Sequence, residues 1–127
     1  MIDPKELRVG NLLHYTNEEG WTHVVEVVTV GKYFFYAEGD EIYPPLKCIT
    51  YSPIPLTPEI LGKCGFVDGI IKLPFGKKLC IGSANNGTCI AYFGEQSETL
   101  SRYCEHVHQL QNLFFTLTGE ELEIKPF

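Results

Sequence analysis

Residues 106–119 constrain the fold more than any other stretch of this chain. Val107, Leu110, Phe114 and Leu117 recur at spacings of three, four and three, with Leu113 beside them. That period puts the apolar side chains on one face of an α-helix, and Gly119 supplies the stop. The apolar face has to be buried, so the preceding residues must supply β-structure for it to dock on.

The first fifty residues read as strands separated by polar turns. Leu7–Tyr15 alternates enough for a short strand, followed by a turn over 16–20. Trp21–Val30 is rich in β-branched residues and ends at Gly31-Lys32; Tyr33–Ala37 follows, then a turn at 38–41 and Ile42-Tyr43 before Pro44-Pro45. Such a succession forms an antiparallel meander, curled into a barrel-like sheet.

A different texture begins at Ile54. Thr57-Pro58-Glu59 is a helix-start pattern, with a hydroxyl cap, a proline in the first turn and an acid near the positive end of the dipole. The helix runs to Cys64 and ends at Gly65, with Phe66 folding back onto it. Strand patterns return at 70–73, 78–81 and 88–93, the last two joined by a hairpin loop over 82–87 that contains Asn86-Gly87. Residues 94–99 read as a polar linker, and Leu122–Lys125 as a short edge strand after the last helix. The fold class expected is α+β: an antiparallel barrel-like N-terminal sheet, a short helix, a second small antiparallel sheet and a C-terminal amphipathic helix. At 127 residues with 44% hydrophobic composition, one domain is expected, with a β-rich half over 1–53 and an α+β half over 54–127.

The net charge of −6 and the scattering of only ten lysines and arginines disfavour general nucleic-acid binding. The first residues lack a basic segment followed by an apolar stretch, and no run approaches the roughly 20 apolar residues that span a bilayer. A cytoplasmic protein with no membrane partner is the expectation. The five cysteines are odd in number and widely spaced, which in a reducing compartment suits small buried side chains better than disulfides or zinc ligands.

No phosphate loop, serine elbow or paired-carboxylate signature is present. Cys104, His106 and His108 share one face if their segment is a strand, and Cys104 and His108 share one if it is a helix. No further ligand is implied by the spacing, so neither a metal nor any other cofactor is assigned, and no catalytic residue is assigned. Gln109, Gln111 and Asn112 beside the apolar stripe offer donors and acceptors without charge. They suit either ligand recognition or, more ordinarily, a solvated face or ties between the helix and neighbouring loops. In the aromatic run, inward Phe34 and Tyr36 would leave Tyr33 and Phe35 outward. With Trp21 these form a candidate docking face.

The block Ile54–Phe66, together with His106–Ile124 and an opening such as Leu7–Asn11, resembles a family of small proteins encoded by gut Bacteroides-type bacteria, their phages and mobile elements. That family has no established activity, and the resemblance implies an accessory protein that binds a host component. The candidate binding residues are Trp21, Tyr33, Phe35, His108, Gln109, Gln111 and Asn112. The expected function is non-catalytic binding of a host protein. A small-ligand or nucleotide-binding protein, with ligand held between sheet aromatics and the helix amides, is the alternative. A metal- or thiol-dependent enzyme is third. Homo-oligomerisation through the aromatic face is compatible with each.

Overall fold

The computed structural model describes residues 3–16, 19–32, 35–37, 51–73, 77–84, 87–93 and 99–126. The fold is α+β, as the sequence leads one to expect. Packing divides the chain into two compact units, Met1–Pro55 with His106–Asn112, and Leu56–Glu105 with Leu113–Phe127. The division after Pro55 lies close to the change of texture at Ile54. Sequence continuity gives no hint that 106–112 return to the first unit.

The first unit is built on a curled antiparallel sheet of β1 (Leu12–Thr16), β2 (Thr22–Val30), β3 (Phe35–Ala37) and β4 (Tyr51–Ser52), in the order β3-β2-β1-β4. Leu13, Val27, Phe35, Ala37 and Tyr51 join Leu7 in its core, with Tyr15, Val25 and Val30 packed against them. Simple alternation along β2 would put Val27 and Val30 on opposite faces. An irregularity between Val27 and Thr29 shifts the register, so that Val27 pairs with Ala37 and Val30 with Phe35. The inserted residue lets both valines face inward and leaves Val28 exposed.

That shift corrects the expected orientation of the aromatic run. Phe35 is 2% exposed and meets the Tyr51 ring edge-on at 5.2 Å. It is a core residue rather than part of a docking face, because it sits opposite inward-facing Val30. Tyr33 and Phe34 lie outside the described residues, as do the turn at 38–41 and Ile42-Tyr43. The N-terminal strand is also shorter than expected. Residues 7–11 form a turn, with the Asn11 amide donating to the Arg8 carbonyl at 3.0 Å, and β1 starts only at Leu12.

The second unit contains α1 (Pro58–Lys63) and a sheet of β5 (Ile70–Lys72), β6 (Lys78–Ala84), β7 (Gly87–Phe93) and β8 (Thr99–Tyr103), ordered β5-β6-β7-β8. Thr57 caps α1, its hydroxyl accepting from the Ile60 amide at 3.2 Å. At the other end the Phe66 amide donates to the Leu61 carbonyl and the Gly65 amide to the Gly62 carbonyl, both at 3.1 Å. This double closure requires a left-handed residue, supplied by Gly65 at φ +100°. It folds Phe66 back beside Leu61, as expected, and both are buried. Val67 and Ile70 exchange backbone bonds across Asp68-Gly69, both at positive φ, which makes a tight two-residue turn into β5. The β6–β7 pairing continues to Ala84 opposite Gly87, so the strands consume most of the expected loop. Strand β8 begins at Thr99, where a polar linker was expected to end. Residues 122–125 are not a strand; that segment is tied to α1 through the Lys125 amide and the Lys63 carbonyl at 2.9 Å.

The last helix, α2, spans Val107–Thr118. Val107 and Leu110 are fully buried, while Leu113, Phe114 and Leu117 are half-buried. Among the described residues no helix is long and apolar enough to cross a membrane.

The closure of α1 makes a paired prediction. Gly62 is helical and a Cβ there meets nothing within 4 Å, whereas Gly65 holds its positive φ. Gly62→Ala should stabilise the chain by about 0.5–1 kcal/mol. Gly65→Ala should destabilise it by about 1–2 kcal/mol. Urea denaturation of the two variants measures the difference; equal effects would remove the closure argument.

Candidate functional site

Four of the residues singled out from the sequence, His108, Gln109, Gln111 and Asn112, fall on the first two turns of α2. In the first unit, that part of the helix is fastened to the segment 6–12. The fastening is made of amides. Gln111 is 3% exposed; its Oε1 accepts from the Leu12 amide at 2.8 Å and its Nε2 donates to the Gly10 carbonyl at 3.1 Å. A neighbouring parallel strand would use that same pair of backbone groups. β4 does not reach them, since its pairing with β1 begins at His14. The side chain thus completes an edge that the sheet leaves unpaired.

Asn11 and Asn112 extend the seam. Asn11 is fully buried, and its Oδ1 accepts from the Arg8 amide at 2.7 Å while its Nδ2 donates to Asn112 Oδ1 at 2.8 Å. Asn112 Nδ2 donates in turn to the Glu6 carbonyl at 2.9 Å. The Arg8 guanidinium lies 3.5 Å from the Gln111 carbonyl. Gln109 serves the start of the helix, its Oε1 accepting from the His106 amide at 3.1 Å, which is half of a capping box. The Val107 amide, another donor left over at the helix start, is taken by the Ile54 carbonyl at 2.9 Å. The amides on this helix therefore hold it in place, which is the more ordinary of the two roles their chemistry permits.

Sequence reasoning passed over Asn11, Glu6 and Arg8. A Gly10-Asn11 pair inside a strand pattern was the available signal, because glycine there marks a bend or a close backbone approach. Gly10 does take φ +98°.

His108 occupies the same seam in a different state. It is 1% exposed, and neither ring nitrogen has a hydrogen-bond partner. Its Nε2 is 3.8 Å from a Glu6 carboxylate oxygen, and its ring lies nearly parallel to that of His106 at 5.8 Å. Burial, and secondarily the charge of His106, lower its pKa below the usual imidazole range, with Glu6 opposing. Burial likewise lowers that of His14.

Trp21 stands apart from the seam in role. It is 66% exposed, between the turn at Gly20 and the first residue of β2. In the second unit, a groove of about 700 Å³ is lined by Lys63, Cys64, Phe114 and the segment 120–125. Cys64 is buried and follows the last residue of α1; burial pushes its thiol up to about 11, which opposes thiolate chemistry at neutral pH. Cys104 is also buried and Cys80 half-buried. Among the described residues, no three His, Cys, Asp or Glu side chains converge to hold a metal ion.

No family model, curated protein or solved structure matches the chain significantly.

If Gln111 substitutes for a strand, its loss must orphan two backbone groups at once. Gln111→Leu keeps the bulk but leaves the Leu12 amide and Gly10 carbonyl unmet, and should cost about 2–4 kcal/mol in chemical denaturation. A loss under about 0.5 kcal/mol would mean that these bonds do not hold the helix.

Proposed function

We propose that this chain is a non-catalytic binding protein that engages a host protein, in the phage or mobile-element setting that its sequence resemblance implies. The observation that carries the reading is Trp21, the largest apolar side chain among the exposed ones, two-thirds exposed at a hairpin end. Tryptophan combines a large apolar area with an N–H donor and loses little rotamer entropy on burial. It is therefore enriched among the residues that dominate protein interfaces. It directly precedes β2, whose first residue, Thr22, pairs with Thr16 of β1.

Two further observations favour this over a ligand held between sheet aromatics and helix amides. Gln109, Gln111 and Asn112 each spend their amides on the chain's own backbone or on Asn11, and Phe35 is inside the core. A charge introduced at position 35 would therefore unfold the sheet instead of probing a surface.

The test uses tagged protein as bait against host extract, followed by affinity measurement with each purified partner. Trp21→Ala should weaken binding to a specific partner at least tenfold, equivalent to about 1.4 kcal/mol, while the chain stays folded. If every captured partner binds the variant as tightly as the parent, Trp21 is not the docking residue and the reading fails.

A further inference from the structure

His108 is the second residue of α2 and is buried with both ring nitrogens unbonded. The charged and titratable groups acting on it are Glu6, from the 3-10 turn Pro4–Glu6, and His106, which precedes the helix. A neutral imidazole tolerates this position at the cost of two unmet polar atoms. An imidazolium there would carry two donors with no acceptor in bonding reach. It would also face the His106 ring and sit at the positive end of the helix dipole. Only Glu6 favours the cation, and at 3.8 Å its carboxylate is too far for a hydrogen bond.

We propose that His108 is an acid-operated latch: when it takes up a proton, the first turns of α2 detach from residues 6–12, breaking the amide pairings of Gln111 and Asn112. Lifting the helix start lets the imidazolium reach water, at the loss only of the weak attraction of Glu6, which acts on it in the closed form. The bonds lost are those that join α2 to residues 6–12, made by side-chain amides and by the Arg8 guanidinium. The backbone bonds between Val27 and residues 10 and 11 are separate from them and survive.

The pH window follows from the direction of the shift. Burial lowers the pKa of the closed form below the ordinary 6.5, so above about 6.5 the ring is neutral whether the latch is closed or open, and the latch has its full strength. Below that value the open form takes up a proton first. Latch strength then falls until the pH reaches the pKa of the closed form.

Leu12 and Val27 provide a built-in comparison, because the Leu12 amide is held by Gln111 whereas the Val27 amide is held by the Asn11 carbonyl. Amide hydrogen exchange of the full chain is followed from pH 7.5 to 5.0 and corrected for intrinsic rates. Protection of Leu12 should fall about tenfold per pH unit below about 6.5 while that of Val27 holds. A flat Leu12 profile, or parallel loss at both amides, overturns the proposal. Glu6→Gln removes the one charge favouring the cation and should deepen the Leu12 loss at pH 5.0; an unchanged or shallower loss counts against it. His108→Gln should flatten the profile, and retention of the pH dependence would assign it to another group. Should His108→Gln not fold, NMR titration of the His108 ring in the parent chain decides, with a midpoint at or above about 6.5 overturning the latch.

Discussion

The first unit depends on a side-chain amide doing the work of a strand. Gly10 and Leu12 present a carbonyl and an amide at a place on the sheet edge that β4 does not reach, and Gln111 meets both. A buried edge with unmet backbone groups would cost more than the hydrogen bonds return, so the pairing is a condition for burying that edge at all. It also fixes the helix in rotation and height. Only one residue of α2 can face the Gly10–Leu12 edge with both ends of its amide. Once Gln111 does so, Asn112 falls opposite Asn11 and Val107 falls where the Ile54 carbonyl can take its amide. Apolar packing alone leaves sliding and rotation open; paired donors and acceptors close them.

This explains which parts of the fold were legible beforehand. The ends of α1 were readable because Thr57, Pro58 and Gly65 each act through local backbone geometry. Helix α2 was readable from its period, and its glycine stop holds, with the Gly119 amide donating to the Phe115 carbonyl. The composition of its buried face was not. Val107 and Leu110 are interleaved there with His108 and Gln111, which hydropathy assigns to the polar side. A polar residue goes inward when a distant backbone group requires it, and that requirement is written at residues 10–12, about a hundred positions away. Asp68-Gly69 is the opposite case, a strong local turn signal in the sequence that the strand reading passed over.

The aromatic run shows a second limit. Alternation gives two possible facings for a strand, and choosing between them requires its partner's register. For β3 the register is set after the shift in β2, and Val30 opposite Phe35 decides the matter. A one-residue insertion in β2 carries no distinctive composition in the stretch Val27-Val28-Thr29-Val30, where every residue favours strands. Phe35, one of the two residues proposed as a surface pair, is thereby inside. Trp21 needed no such register to be exposed, since it lies at the turn.

Amides suit the seam for a reason that also isolates its weak point. Asparagine and glutamine offer a donor and an acceptor together and do not titrate, so the pairings among Asn11, Gln111, Asn112 and the backbone are the same at any moderate pH. A carboxylate at position 111 could accept from Leu12 but would oppose the Gly10 carbonyl, and a lysine could do only the reverse. Among the buried side chains of the seam, His108 is the one that changes charge in the moderately acidic range. Its nitrogens make no bond whose loss would weaken the closed state, and so contribute nothing to holding it at neutral pH. Protonation therefore costs the seam no existing contact of His108 but adds the full expense of a buried cation. An attachment built from groups indifferent to pH is in this way placed under the control of a single proton.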